Sequence, residues 1–589
     1  MSYVITPSYK DLFTEEEPSP QKLIKDIPTS VIIQLIAWIG SIMHKHPFDF
    51  EKTQFYFEHW IGAFPKEEKI RLWNIYQFRK NQEPNRPITI FTQVRNLHFI
   101  NFCLSNYKEG ERSLASPDSV TKDEEANILK AYLLIAEENE PDAKKPIADG
   151  KKYLGFEKFY ISFWPLFINQ YGFESINSFV IQSIQSMMFF RFAKKSEVFN
   201  KYVSEFFKDI KIKNAASYIY CIWDVYINIF RDKLPSFRIK VDVGTDLYNL
   251  LHRLSINVPN VDSNLDIKKE DFTSLRSKPV FKVNQDEFCI LNHNFFIDKI
   301  YEGVKFDFYQ RASRKNYLGT FNTDFKSFGN FKTKYAKHFS EKKMFYDIMD
   351  FSFDSYKHIV RIDGAKYEVE YSDYYIRDRK NIFLFEFKDI IVNSEIKFSK
   401  DGHKIRNEID RQLIKMGKQK KGISQLVDVI NKLNEKPFEF DDYTNKGIKS
   451  KTISIYPIIV ITDEMFDFPG INNYLNDKIR SILNTDSLHV KIKGLTLINL
   501  NTLFDISSLI RDKKISFKKL IDAYHSSAEA RKKQAIPEDV FNAVKALRTF
   551  REFANNYLKS KKLDSSKKRP DLFDEVIQEV FNEQNNKAS

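Results

Sequence analysis

The chain has 589 residues, 42% hydrophobic and 29% charged, a composition that fits a globular protein of two to four domains and excludes fibrous and disordered classes. Its 92 Lys and Arg exceed its 79 Asp and Glu, and the formal net charge of +13 favours polyanionic partners through counterion release. Three scattered cysteines exclude a disulfide framework and a cysteine zinc site, and they suit a reducing cytoplasm.

The first ten residues carry no basic segment followed by an apolar run, so no signal peptide is expected. The longest apolar stretch, 30–43, contains Gln34 and is too short to cross a bilayer. It reads as a buried helix, and no membrane partner is expected. Residues 1–270 are expected to be mostly helical, because 28–43, 50–62, 66–80, 94–105, 123–138, 156–171 and 174–192 place apolar residues three and four apart. Thr121 and Glu124 have capping-box spacing at one helix start. All five tryptophans fall in this half, which points to a domain of separate origin. The Pro-rich, charged run 137–150 divides it, and 257–277 reads as a linker. A hairpin over 279–292 and a helix near 295–306 form a connecting module, 271–329.

Residues 371–389 carry the most chemistry. They read as a hairpin: a strand 371–376, a polar turn 377–381 and an apolar strand 382–388. Phe383, Phe385 and Phe387 share one face, and Leu384, Glu386 and Lys388 share the other. Asp373 on the partner strand comes alongside Glu386. Two such carboxylates repel unless a cation lies between them, and hard oxygen ligands favour Mg²⁺. Asp373, Glu386 and Lys388 in this order resemble the PD-(D/E)XK nuclease superfamily, in which an Asp opens one strand and Glu-x-Lys follows on the next. Ser372 stands where the family signature has proline. The resemblance covers roughly residues 330–510. It implies a restriction-endonuclease-like α/β core with a central mixed sheet, a preceding helix over 335–349 that supplies Glu341 as a further carboxylate, and a following helix over 422–433 that supplies Gln425. Buried strands at 453–463 and 494–500 fit the same order, with Pro457 breaking the pairing on one side of the first.

Beyond the hairpin, 391–426 holds nine basic residues against four acids. Lys397, Lys400, Lys404, Arg406, Lys415, Lys418, Lys420 and Lys421 are candidates for contact with a nucleic-acid backbone, beside Arg411; the plain alternative is a solvated helix face and a basic loop. Residues 516–589 read as a helical tail with a basic linker at 559–570. His44 and His46 lack a third ligand nearby. The 319–327 segment lacks the second glycine of a phosphate-binding loop, so no nucleotide cofactor is expected. Glu368, Glu370, Asp378 and Asp389 are set aside because alternation or position turns them from the site.

The expectation is an α+β multidomain protein: a helical region 1–270 for sensing or positioning a target, the connecting module, a nuclease domain 330–515 and the tail. The resemblance implies a Mg²⁺-dependent endonuclease, with Mn²⁺ as substitute, acting on nucleic acid and above all DNA; the few scattered cysteines point to the cytoplasm. Asp373 and Glu386 would hold the metal with Glu341; Lys388 and Gln425 would serve the reaction. Defence against phage or foreign DNA suits the architecture, with a second copy or a protein activator as further partner. The rivals are a nuclease fold that binds without cutting and a helical regulatory or scaffold protein. Metal-dependent cleavage separates the first reading from both rivals.

Overall fold

A computed structural model of the chain describes residues 6–45, 58–82, 88–110, 119–139, 161–168, 178–231, 238–256, 272–313, 327–355, 359–363, 371–416, 419–483, 488–534, 547–563, 574–575 and 577–578. Outside these lie the expected helix start at 50–57, the joint at 140–150, most of the 257–277 linker, the 319–326 segment, Glu368, Glu370, Lys418 and most of the terminal tail. The protein is mixed α and β and divides into two units: Met1–Glu140 with Phe173–Thr323 and Ile577–Ser589, and Pro141–Gly172 with Asp324–Val576.

The first unit is helical where the three- and four-residue spacing requires it. Its helices include Thr29–Lys45, Lys66–Gln82, Gln93–Ser105, Lys122–Asn139, Phe179–Lys195 and Asn200–Ile210. Thr121 and Glu124 form the reciprocal cap: Thr121 N donates to Glu124 Oε2 at 2.9 Å, and Glu124 N donates to Thr121 Oγ1 at 3.3 Å. A small sheet joins β1 (Ile239–Lys240), β2 (Ser255–Ile256), β3 (Val280–Lys282) and β4 (Glu287–Ile290) in the order β1-β4-β3-β2. The expected 279–292 hairpin is therefore present as β3–β4. It is no separate connector, because its outer edges pair with β1 and β2 inside the first unit. No helix among the described residues is long and apolar enough to cross a membrane.

The second unit is built on a mixed sheet. β5 (Ile359–Asp363), β6 (Tyr374–Asp378) and β7 (Asn381–Lys388) are antiparallel neighbours. A small ribbon, β8 (Lys415–Met416) with β9 (Gln419–Lys420), intervenes before β10 (Ser454–Ile461), β11 (Lys491–Ile492) and β12 (Thr496–Asn499). β10 runs parallel to β7 on one side and to β11 and β12 on the other. β11 pairs at Ser454 and Ile455 and β12 from Ile458 onward, so Pro457, which has no N–H to donate, sits in the gap between them. Both faces of β7 are covered, and it reads as a buried run of Ile382 to Phe387.

The phenylalanine face is sealed by aromatic contacts. Phe387 stacks on Phe345 at 4.8 Å, Phe383 on Tyr456 at 4.8 Å and Phe385 on Phe517 at 6.0 Å. Phe517 opens the helix Phe517–Gln534, so the expected tail begins as a wall of the core. The opposite face is covered by the helix Gly422–Glu435 and by the segment after it, where Phe438 and Phe440 meet Tyr371 and Tyr375. Gly422 has φ +28°, and a Cβ there would stand 2.6 Å from the Leu413 carbonyl oxygen, so this helix start needs glycine. The tryptophan asymmetry does not follow the units. Trp164 packs edge-on against Phe468 at 5.4 Å and Tyr474 at 5.3 Å within the second unit.

Candidate active site

The hairpin is shorter at its start than the sequence suggests. β6 begins at Tyr374, and a two-residue turn at Arg379 and Lys380 replaces the longer one, with Arg379 in the left-handed region at φ 56°. Asp373 lies just before the strand for a clear reason. Its Oδ2 accepts the Phe387 backbone N–H at 2.7 Å, the donor that a further ladder pair would use. A side chain thus ends the ladder, and the same bond fixes the carboxylate against β7.

Register then gathers the charges. Tyr374 is paired with Phe385 and Tyr375 with Leu384, which sets Asp373 across from Glu386 on the face shared with Lys388. Lys388 Nζ lies 2.6 Å from Glu386 Oε1. The Glu386 side chain is 2% exposed and that of Lys388 17%, so the pair sits in a region of low dielectric at the end of the sheet. Burial works against the Lys388 charge. The negative charges of Glu386 and Asp373, the hydrogen bond to Glu386 and the charge of Glu341 outweigh it, and the ammonium is held above its ordinary value. Lys388 is thus ion-paired with Glu386 and feels the charge of Asp373.

Glu341 belongs to this group through its charge. It stands in a ten-residue π-helical segment, Ala336–Phe345, between the α-helices Phe328–Tyr335 and Tyr346–Phe353. Wider turns of this kind are rare overall and frequent at functional sites. Phe345 at the end of the segment anchors it on Phe387, one residue from Glu386. The Tyr346 hydroxyl donates to Glu341 Oε1 at 3.5 Å. Gln425 stands in the first turn of Gly422–Glu435, the helix that covers the Glu386 face of β7. Asp389 points the other way, is 3% exposed, and is held by Lys332 and by the Thr462 hydroxyl at 2.7 Å.

The donors suit a hard cation held sparingly. Mg²⁺ keeps most of its waters and is bound by one or two carboxylates plus substrate phosphates. Asp373 and Glu386 could serve as those two. Among the described residues no group of three or more His, Cys, Asp or Glu could hold a metal ion.

The basic stretch is less uniform than its composition. Lys397 Nζ lies 2.6 Å from Asp463 Oδ2 and Lys420 Nζ lies 2.6 Å from Asp428 Oδ2, so a phosphate would compete with a carboxylate at both. Lys400, Lys404 and Lys415 are exposed, Lys421 precedes the 422–435 helix half-buried, and Arg406 Nη2 donates to Asn407 Oδ1 at 3.2 Å. The expected basic loop at 415–420 is the β8–β9 ribbon, where Lys415 pairs with Lys420. Arg411 is bound to Glu408 at 2.5 Å.

Sequence reasoning missed the buried support beneath the hairpin. Arg377 Nη2 donates to Asp441 Oδ1 at 2.6 Å, and the Tyr375 hydroxyl donates to Asp441 Oδ2 at 2.8 Å. The only available signal was an arginine inside an otherwise apolar strand. No known protein family, curated protein or solved structure matches the chain.

Proposed function

We propose that the second unit is a Mg²⁺-dependent nuclease of the PD-(D/E)XK kind that hydrolyses phosphodiester bonds, with DNA as the first substrate to test. The observation that carries this reading is the meeting of Asp373, Glu386 and Lys388 at the end of β7, with the charge of Glu341 acting on the same lysine. Mg²⁺ bound there would supply Lewis acidity toward a phosphate oxygen and a water of lowered pKa. Asp373 would ligate with its position fixed by the Phe387 N–H, and Glu386 would ligate by exchanging its bond to Lys388 for one to the ion. Released from Glu386, the Lys388 ammonium would turn toward the scissile phosphate and stabilise the charge that develops on it. A second positive charge nearby would also lower the lysine pKa and ease its exchange of a proton with the attacking water. Glu341 would reach the ion through water, and Gln425 would orient Lys388 or a phosphate oxygen.

The net charge of +13 supports a polyanionic substrate, and the exposed Lys400, Lys404 and Lys415 offer phosphate contacts on the segment after β7. The helical first unit gives room for target sensing, which suits a role in defence against foreign DNA. A second reading, binding without cutting, draws on one observation: Glu386 is buried and already paired with Lys388. A panel of single- and double-stranded DNA and RNA, incubated with Mg²⁺, Mn²⁺ or chelator, separates them. Metal-dependent cleavage lost in Lys388→Ala supports the nuclease; salt-sensitive binding with no cleavage on any substrate supports the second reading.

A further inference from the structure

Behind the C-terminal ends of β10 and β12, three carboxylates and one guanidinium gather from separate elements. Glu464 opens a short 3₁₀ turn after β10, and Asp467 follows it. Asp505 lies in the helix Leu500–Arg511, and Arg551 stands in the first turn of the helix Phe550–Ser560. Arg551 Nη1 lies 3.1 Å from Glu464 Oε1, which also accepts from Asn501 Nδ2 at 2.7 Å. The charges of Glu464, Asp505 and Asp467 together hold the guanidinium above its ordinary value against the effect of burial. Asp467 is 5% exposed, and its Oδ1 has no hydrogen-bond partner among the described residues.

One guanidinium thus faces three acids. Burial pushes the Asp467 carboxyl up to about 7, with Arg551 opposing and Glu464 and Glu552 adding to the rise. Burial likewise pushes Asp505 up to about 6 against the pull of Arg551. Tyr524 faces the group from the helix Phe517–Gln534; burial and the charges of Asp467 and Glu552 keep its hydroxyl neutral, and it donates to the Arg548 carbonyl at 3.0 Å. The helix carrying Arg551 rests on β12 and on Phe517–Gln534 through buried Phe550, Ala554 and Leu558.

We propose that this cluster is a proton-sensitive latch that fastens the helix Phe550–Ser560 to the end of the sheet, tight when Asp467 carries a proton and looser when it does not. The latch is independent of any reaction at β7. On this proposal, opening of the helix returns Asp467 to water, where its ordinary value is 3.8. The folded value is the higher one, so the stabilisation is full below 3.8 and is lost as pH climbs through about 7. Between pH 6 and pH 8 the closing constant falls about tenfold from Asp467 alone.

Hydrogen exchange on the full-length protein tests this, with peptides covering 550–560 as readout, the 422–435 helix as internal reference, and rates corrected for intrinsic exchange. Opening of 550–560 should be about tenfold more frequent at pH 8 than at pH 6. Asp467→Asn keeps the shape without the charge and should remove most of that difference, with the helix staying closed at pH 8. A wild type with no pH dependence, or an Asp467→Asn variant with the wild-type dependence, overturns the latch. Should Asp467→Asn lose protection at 422–435 as well, Arg551→Gln decides. Without the guanidinium the transition should move to higher pH, and an unmoved midpoint overturns the latch.

Discussion

Lys388 is a cation enclosed by acids, and this fixes what substitutions there should do. On the proposed nuclease reading, Lys388→Ala should slow single-turnover cleavage by about 10²–10³, the usual loss when a donor to developing charge is removed. It also strands Glu386, 2% exposed, without its partner, so the metal-free variant should be less stable by up to about 3 kcal/mol. Added Mg²⁺ should then raise the melting temperature of Lys388→Ala more than that of wild type; an equal shift would mean that Glu386 does not meet the ion. The pH sign follows from the raised lysine value: the contribution of the pair is intact below about 10.5 and fades as pH rises beyond it. Arg377→Met should cost up to about 3 kcal/mol in urea unfolding, because Asp441 has 0% side-chain exposure and would lose its bidentate partner, keeping only the Tyr375 hydroxyl and Lys446 at 3.9 Å. The residues at the end of β7 were legible because hairpin register and side-chain alternation are local rules. Asp441 was not, since it lies 64 residues from Arg377, and Glu464 was not, since it lies 87 from Arg551. Nothing in a charge pattern names a partner at that distance.

Elements were legible where their own periodicity decided them, as in the β3–β4 hairpin, the capped 122–139 helix and the buried β10. They were misjudged where a side chain intervened. Asp373 ends the β6 ladder by taking the Phe387 N–H, which moves the strand start from 371 to 374. The π-helical form of 336–345 has no signature in helical spacing. The tight turn at Arg379 gives a direct test. A left-handed backbone costs an ordinary residue about 1–2 kcal/mol, while glycine loses part of that gain through its freer unfolded chain. Arg379→Gly should therefore stabilise the protein by up to about 1 kcal/mol, read from the urea midpoint at unchanged m-value.

Across the whole molecule, charge predicts behaviour better than it predicts pairing. Neutralising Lys400, Lys404 and Lys415 together should flatten the salt dependence of duplex binding by about 0.9 for each phosphate that the variant no longer neutralises. Lys397→Gln should leave the slope unchanged, because Lys397 already faces Asp463 at 2.6 Å. The reverse pattern, measured by titration at several salt concentrations, would relocate the nucleic-acid path away from 400–415. The recruitment of Phe517 to the sheet was not visible in the sequence, because an apolar helix face does not state what it will cover.

The parallel pairing of β7 with β10 has a kinetic consequence. Leu384 meets Pro457 about seventy residues later in the chain, whereas its antiparallel partner Tyr375 is nine positions away. Loop closure delays distant pairings, so β7 should zip to β6 first and wait for β10. A chain still being synthesised would then carry Glu386 and Lys388 side by side before their enclosure exists, and the β7–β10 edge could form only after residue 461 has emerged. In pulse-labelled refolding, the β7 amides bonded to β6 should gain protection in an early phase and those bonded to β10 in a later one; simultaneous protection would show that the two edges of β7 close together.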